Sequence, residues 1–382
     1  MRDLLPGEKG QRELLIGKIR GVYTKRGFQE IETPALEELG RLTSGQGGDN
    51  EKLVFKVLKR GEELERAAQE GDDLADLGLR FDLTVPLTRF YASNHAKLPR
   101  VLKAIQIGPV WRAERPQKGR YRQFLQCDID IIGDASSLAE VELISASLAA
   151  LDEIGLSGAS VRVNDRRLLA RALEEIGIQA HQDRALITID KLDKIGKGRV
   201  AAELGEQFGD EVATRFENWL DASSSVDMPA ELAWTQQLGE LASRLRFDPT
   251  LVRGMGYYTG AIFEIEHPSV SYSIGGGGRY DEMVGRFSGT DAPAVGISLG
   301  IERIIELVPD QSGSQQSLVL LIEDDVATAL GQQQSLISVG WNVRLEKRAK
   351  NLKAQLGELE AAGFTHFAFV GGDSQLDIKP LG

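Results

Sequence analysis

Apolar residues recur at helical intervals through GQRELLIGKIRGVYTKR, residues 10 to 26. The break at Gly27–Phe28 then leads into QEIETPALEEL, read as a strand ending at Pro34. Further strand-like runs are KLVFKVL at 52 to 58 and LGLRFDLTVP at 77 to 86, separated by a polar, acidic connection. Between 105 and 133, the partly alternating, β-branched segments IQIGPVW and FLQCDIDIIG flank ERPQKGRYR, whose Pro and Gly mark an exposed connection. The pattern therefore predicts a hairpin with a basic tip. SSLAEVELISASLAALDEIG (136 to 155) predicts a long amphipathic helix, and ASVRVNDRRLLARALEEIG a strand entering another. Residues 171 to about 244 are helical in character and hold no strand runs, whereas glycine-rich strands return at 251 to 287 and 293 to 307. From Ser317 onward strand and helix alternate. The expected architecture is α+β: an antiparallel sheet flanked by helices, with parts at 1–170 and 245–312, a helical insertion at 171–244 and a small α/β domain at 316–382.

Composition sharpens this only a little. A chain of 382 residues that is 42% hydrophobic can bury a large core in two or three domains. No apolar run approaches the roughly 20 residues that span a bilayer, and MRDLLPGEKGQRELL lacks a signal-peptide pattern, so a cytoplasmic protein is expected. The single cysteine, Cys127, excludes an internal disulfide and any CxxC metal site, and among strand residues it reads as a small buried hydrophobe. A net charge of -12 argues against indiscriminate coating of nucleic acid but leaves room for a local basic groove.

The basic residues of the hairpin, Arg112, Arg115, Lys118, Arg120 and Arg122, suit a grip on polyanions. Arg112 reads as lying within the first strand, where a buried guanidinium needs a partner. That partner is either an anionic ligand or an internal carboxylate such as Asp128 or Asp130. In YSIGGGGRYDEMVGRF four consecutive glycines remove every side chain, which suits close approach of a ligand or backbone, with Arg253 and Arg279 bordering the cavity; a flexible linker is the alternative. The run does not have dinucleotide-loop spacing, and no GxxxxGK[ST] occurs, so phosphate binding would fall to arginine side chains. Arg112, Arg253 and Arg303, each near glycines, suggest a nucleoside triphosphate.

Together WRAERPQKGRYRQF, LVRGMGYYTG, GGGGRYD and GISLGIER, in this order, resemble the histidyl-tRNA synthetases, a class II aminoacyl-tRNA synthetase family. The likeness extends to RDLLP, to GFQEIETPALE, which resembles the dimer-forming first class II motif, and to LRFDLTVPLTRF, and so covers nearly the whole chain. It implies a ligase that activates L-histidine with ATP and Mg²⁺ and transfers it to tRNA(His), working as a homodimer. By the same resemblance Asp82, Leu83, Thr84, Gln126, Asp130, Arg253, Tyr257, Tyr258 and Tyr280 would bind histidine, and Arg112, Glu114 and Arg303 would bind ATP. Arg112 and Arg253 would be catalytic, Arg115, Gln117, Lys118 and Arg120 would meet the tRNA acceptor stem, and no residue is expected to hold a metal by itself. The tail's Arg344, Lys347, Arg348, Lys350 and Lys353 resemble an anticodon-binding region, with a solvated charged face as the alternative. Gly256 stands where the family usually has Asp, and the tail stops at LDIKPLG. Those two features keep open a regulatory subunit of ATP phosphoribosyltransferase, or a histidine-activating paralogue with another acceptor.

Overall fold

The computed structural model describes residues 1–43, 53–115, 119, 121–223, 227–253, 256–289, 292–309, 316–370 and 376–382. The chain divides into two compact units, Met1–Arg2 with Leu15–Val308, and Asp3–Leu14 with Pro309–Gly382. The first is built on an eight-stranded sheet. Its strands run in the order Gln29–Glu30, Leu102–Trp111, Gln123–Ile132, Ala294–Gly300, Gly275–Arg279, Ala261–Glu266, Ser160–Asp165 and Leu245–Phe247. Neighbours pair antiparallel except at the two ends, where the outermost strands are parallel to their neighbours.

Side-chain alternation gives the sheet two unlike faces. Cys127, Ile129 and Ile131 alternate with Gln126, Asp128 and Asp130, and on the next strand Val295, Ile297 and Leu299 alternate with Gly296, Ser298 and Gly300. The apolar set packs with Leu143, Ile144 and Leu151 of the helix Leu138–Glu153, and with Ile19 and Tyr23 of Pro6–Thr24. The polar and glycine set forms the floor of the site. Hydrophobic burial thus fixes the register, because a slip of one residue would turn three carboxyl or amide groups into the core.

Several elements depart from the sequence-based expectation. Residues 77–86 are not one strand: Ala75–Leu79 is extended, and a helix begins at Thr84. The reason is local, since Asp82 Oδ1 accepts a hydrogen bond from the Val85 amide (3.1 Å), and Pro86 is tolerated in the first turn. QEIETPALEEL is split into Gln29–Glu30 in the large sheet and Leu36–Glu38 in a small antiparallel sheet with Lys56–Leu58 and Ala75–Leu79. Arg112 sits one residue beyond its strand, although its amide still donates to the Arg122 carbonyl (2.9 Å). The four glycines are neither loop nor linker but a central strand of the sheet.

Arg80 ties these pieces together. Its buried guanidinium donates to the carbonyls of Thr33 (2.6 Å) and Pro109 (3.0 Å), joining the segment after Gln29–Glu30 to the hairpin strand. Gly108 makes the room, because a Cβ there would lie 2.3 Å from Arg80 Nη2. Gly108→Ala should therefore lower stability by about 1–3 kcal/mol, as overpacked core sites do. An unchanged denaturant midpoint would contradict that reading.

The described residues between Arg166 and Arg244 are mainly helical, in segments that include Arg166–Glu175, Gln182–Ile189, Lys197–Phe208 and Asp210–Ser223. The second unit holds a four-stranded sheet in the order Asn342–Lys347, Ser317–Ile322, His366–Phe369, Lys379–Pro380, parallel except for the last pair. Its helices Val326–Ser338 and Leu352–Ala361 start at Asp325 and Asn351, whose side chains accept from the amides of Thr328 and Ala354. Leu318 and Leu320 pack on one face of this sheet, Val319 and Leu321 on the other. Its basic group is partly engaged: Arg344 pairs with Glu346 and lies over Phe364, and Arg348 pairs with Glu323 and lies over Phe369.

Candidate active site

The register of the sheet sets out the site in rows across the strands. One row holds Ala104, Asp130, Gly296, Gly278 and Ile262; the next holds Gln106, Asp128, Ser298, Gly276 and Glu264; a third begins with Gly108, Gln126 and Gly300. Successive rows are two residues, roughly 6.8 Å, apart along each strand. Glycine in the first two rows is a steric requirement. A Cβ on Gly276 would lie 2.7 Å from Arg253 Nη1, one on Gly278 2.8 Å from the Tyr258 ring, and one on Gly296 1.9 Å from Asp130 Oδ1.

Above the first two rows is a chamber of about 50 Å³. Asp82, Thr84, Gln126, Asp128, Asp130 and Arg253 line it, and the rings of Tyr257, Tyr258 and Tyr280 close it. The Tyr257 and Tyr258 centroids are 4.7 Å apart, and Tyr257 meets Tyr280 edge-on at 6.0 Å. Tyr280 donates its hydroxyl to Asp130 Oδ1 at 2.6 Å, and the Gln126 amide donates to Ser298 Oγ at 2.8 Å. Four acceptors remain: Asp82 Oδ2, Gln126 Oε1, Asp128 Oδ1 and Asp130 Oδ2 are buried with no hydrogen-bond partner among the described residues. Buried polar atoms without partners are costly. A pocket that concentrates four of them is built for a ligand rich in donors.

Electrostatics agrees with this geometry. Burial raises all three carboxyl groups, Asp82 to about 6 and Asp130 to about 7, while Asp128 is raised well above the usual range by burial and by neighbouring Asp130. A cationic ligand would relieve the repulsion between them.

The chamber opens into a larger cavity of about 170 Å³, with Arg112, Gln126, Arg253, Gly276 and Ser298 common to both. Arg112 is anchored by Nε to the Phe81 carbonyl (3.1 Å) and lies 5.1 Å from the Phe124 ring centroid. Among the described residues no close ion pair joins it to Asp128 or Asp130, although its charge acts on the Asp128 carboxyl against the larger effects of burial and Asp130. Arg303 donates to the carbonyls of Ser273 (2.7 Å) and Gly119 (3.2 Å), with its guanidinium 5.5 Å from the Tyr272 ring centroid. Arg253 Nη1 meets Glu264 Oε2 at 3.1 Å, and the other oxygen of Glu264 is held by Arg162 at 3.2 Å. Glu114 and Glu302 add carboxylates to the cavity wall, Glu302 also accepting from the Leu125 amide (2.8 Å).

Two expected site residues lie elsewhere. Arg279 does not border the cavity: two residues on from Gly277, it points to the opposite face and forms a bidentate pair with Glu140 of the helix Leu138–Glu153, both contacts at 2.6 Å. Leu83 is buried outside the chamber, and its carbonyl accepts from the Gln106 amide (3.0 Å). Arg115 is exposed, and Gln117, Lys118 and Arg120 lie outside the described residues. The sequence names Asp128 only as a possible partner of Arg112, not as a ligand-binding residue, and does not single out Ser298 or Glu302. The signal for Asp128 was present, since the alternation that selects Gln126 and Asp130 also selects it.

Gly296→Ala should displace the Asp130 carboxylate and weaken the chamber's ligand by about tenfold or more, in line with loss of one charged hydrogen bond. Titration calorimetry showing unaltered affinity would contradict the steric argument.

Residues 1–304 match the family model described as Histidyl-tRNA synthetase. The chain is 51% identical to a histidine–tRNA ligase of Leifsonia xyli over 100% of its length and 97% of the relative's. It is 39% identical to a probable histidine–tRNA ligase of Tropheryma whipplei, covering 100% of the chain and 98% of the relative. Among solved structures, a histidyl-tRNA synthetase from Nostoc sp. PCC 7120 superposes with a TM-score of 0.76 at 26% identity, covering 100% of this chain and 93% of that one. An ATP phosphoribosyltransferase regulatory subunit/histidyl-tRNA synthetase from Bacillus halodurans gives 0.75 at 22% identity, over 98% and 97% of the two chains, a likeness of fold alone.

Proposed function

The chain belongs to the histidyl-tRNA synthetase family, and on that premise we propose that its site carries out both steps of a histidine–tRNA ligase. In the first, the histidine carboxylate attacks the α-phosphorus of ATP and pyrophosphate leaves. In the second, a hydroxyl of the tRNA's terminal adenosine attacks the carbonyl of histidyl-adenylate, and AMP leaves. The observation that carries the reading is the junction of an acceptor-lined chamber with an arginine-lined cavity.

Histidine with a neutral ring brings three ammonium N–H donors and one ring N–H, four donors for the four unpartnered acceptors. Asp130, oriented by Tyr280, reads the ring N–H, a hydrogen-bond filter far sharper than apolar fit. Asp82 and Thr84 hold the amino end. Arg112 grips the α-phosphate and Arg303 the terminal phosphates. Arg253, reaching both spaces, stabilises the charge that develops as carboxylate and phosphorus meet. No group becomes covalently attached to the enzyme. Mg²⁺ bound with ATP would neutralise phosphate charge, and Glu114 and Glu302 are the cavity carboxylates whose hard oxygens would hold it.

Arg115, Gln117, Lys118 and Arg120 are proposed to meet the acceptor stem, and the unit containing Pro309–Gly382 the anticodon region. A homodimer through the segment 27–37, and a cytoplasmic location, belong to the same reading; among the described residues no helix is long and apolar enough to cross a membrane. The regulatory-subunit reading is not favoured, since the relatives at 51% and 39% identity are both named as ligases. Incubation with bulk tRNA, ATP and each of the twenty amino acids tests the proposal. Charging should occur with histidine alone, and its absence would overturn it.

A further inference from the structure

Asp128 is counted above only as one of four unpartnered acceptors, with no donor assigned to it, yet it occupies the centre of the site. It is 3% exposed and lies opposite Ser298 in the row that also holds Gly276. Gly276 is the bare backbone on which Arg253 rests. The neighbouring row, with Asp130, Gly296 and Gly278, carries Tyr258 and Tyr280. If Asp130 and the tyrosines hold the ring, the reacting carboxylate belongs at Arg253, one row away. The α-ammonium is on the carbon next to that carboxylate and so falls in the row of Asp128.

A short chain of hydrogen bonds sets the carboxyl group for this task. Gln126 donates to Ser298 Oγ, which leaves the Ser298 hydroxyl hydrogen for Asp128. One Asp128 oxygen is thereby engaged, while Oδ1 remains buried in the chamber wall with no partner among the described residues. We propose that Asp128 is a specificity-determining residue that accepts a hydrogen bond from the α-ammonium of histidine, alongside Asp82, with Ser298 as its positioning residue. The inference rests on the histidine-pocket reading above. It adds a third carboxylate to that pocket and separates its roles by row: Asp130 for the ring, Asp128 for the amino group.

Titration calorimetry with two ligands tests this. L-Histidinol keeps ring and ammonium, and 3-(imidazol-4-yl)propionate keeps ring and carboxylate but has no ammonium. Asp128→Asn preserves shape and removes charge, and its melting curve verifies that the fold is intact. The variant should bind histidinol about 10- to 100-fold more weakly, the range for a hydrogen bond to a charged group, and imidazolepropionate with unchanged affinity. Unchanged histidinol binding, or equal loss for both ligands, would overturn the assignment. Asp130→Asn, measured in parallel, should weaken both. If Asp130→Asn does so while Asp128→Asn has no effect, only the role of Asp128 falls; if neither variant affects either ligand, the histidine pocket falls with it.

Discussion

Replacing Arg253 by alanine is expected to slow histidyl-adenylate formation by about 10²-fold or more while the protein stays folded. Arg253 lies where the chamber meets the larger cavity, so it faces both the attacking carboxylate and the α-phosphate in the proposed complex. Its position is fixed by neighbours rather than by substrate. Glu264 holds one Nη, Arg162, itself paired with Asp248, holds Glu264 in place, and Gly276 beneath Arg253 admits no side chain. Such preorganised charge stabilises a transition state without reorganisation at the moment of reaction. A loss of 10² corresponds to about 2.7 kcal/mol of transition-state stabilisation. Removal should lower kcat in pyrophosphate exchange more than it raises either KM. Full activity would remove Arg253 from the mechanism, and a large fall in melting temperature would make its role structural.

The second large effect is on histidine recognition. Asp130→Ala should raise the histidine KM by about 10²-fold or more and leave the ATP KM nearly unchanged, because it deletes the ring's acceptor and strands the Tyr280 hydroxyl. An unaltered histidine KM would contradict the assignment. The pH dependence follows from the same group. Asp130 titrates near 7 in the folded protein, far above an ordinary Asp, chiefly because it is buried. Its protonation therefore favours the folded state: that contribution is full below about 4, the unfolded value, and is lost as pH rises through about 7. Asp130→Asn cannot lose it. The free variant should accordingly gain melting temperature relative to the wild type between pH 5.5 and 8, and a constant difference would refute the linkage. Tyr280, Asp82 and Asp128 face the same carboxyl group, so the comparison is made against the variant rather than against pH alone.

Periodicity made the sheet legible where one face is apolar, as along FLQCDIDIIG, because alternation there is enforced by burial of Cys127, Ile129 and Ile131. It failed at LGLRFDLTVP. There the hydrophobic run continues, but the Asp82 side chain caps a helix, a contact of one oxygen with one amide that no periodicity records. The glycine run was legible as a place of close approach but not as a strand, since Gly275–Gly278 have no side chains to alternate. Arg279 was misread for the related reason that its face depends on the register of those glycines. In the site, Asp82, Gln126, Asp130 and the tyrosines could be named from motif likeness, whereas Ser298 and Glu302 come from a strand and helix far along the chain. Only the pairing of Ala294–Gly300 with Gln123–Ile132 brings them in.

The central claim is that this pair of joined cavities activates histidine with ATP. ATP–pyrophosphate exchange, measured with each of the twenty amino acids in turn, tests it most directly. Exchange that depends on histidine, and is lost on Arg253→Ala, is the expected result. No exchange with histidine, or equal exchange with other amino acids, would contradict the account.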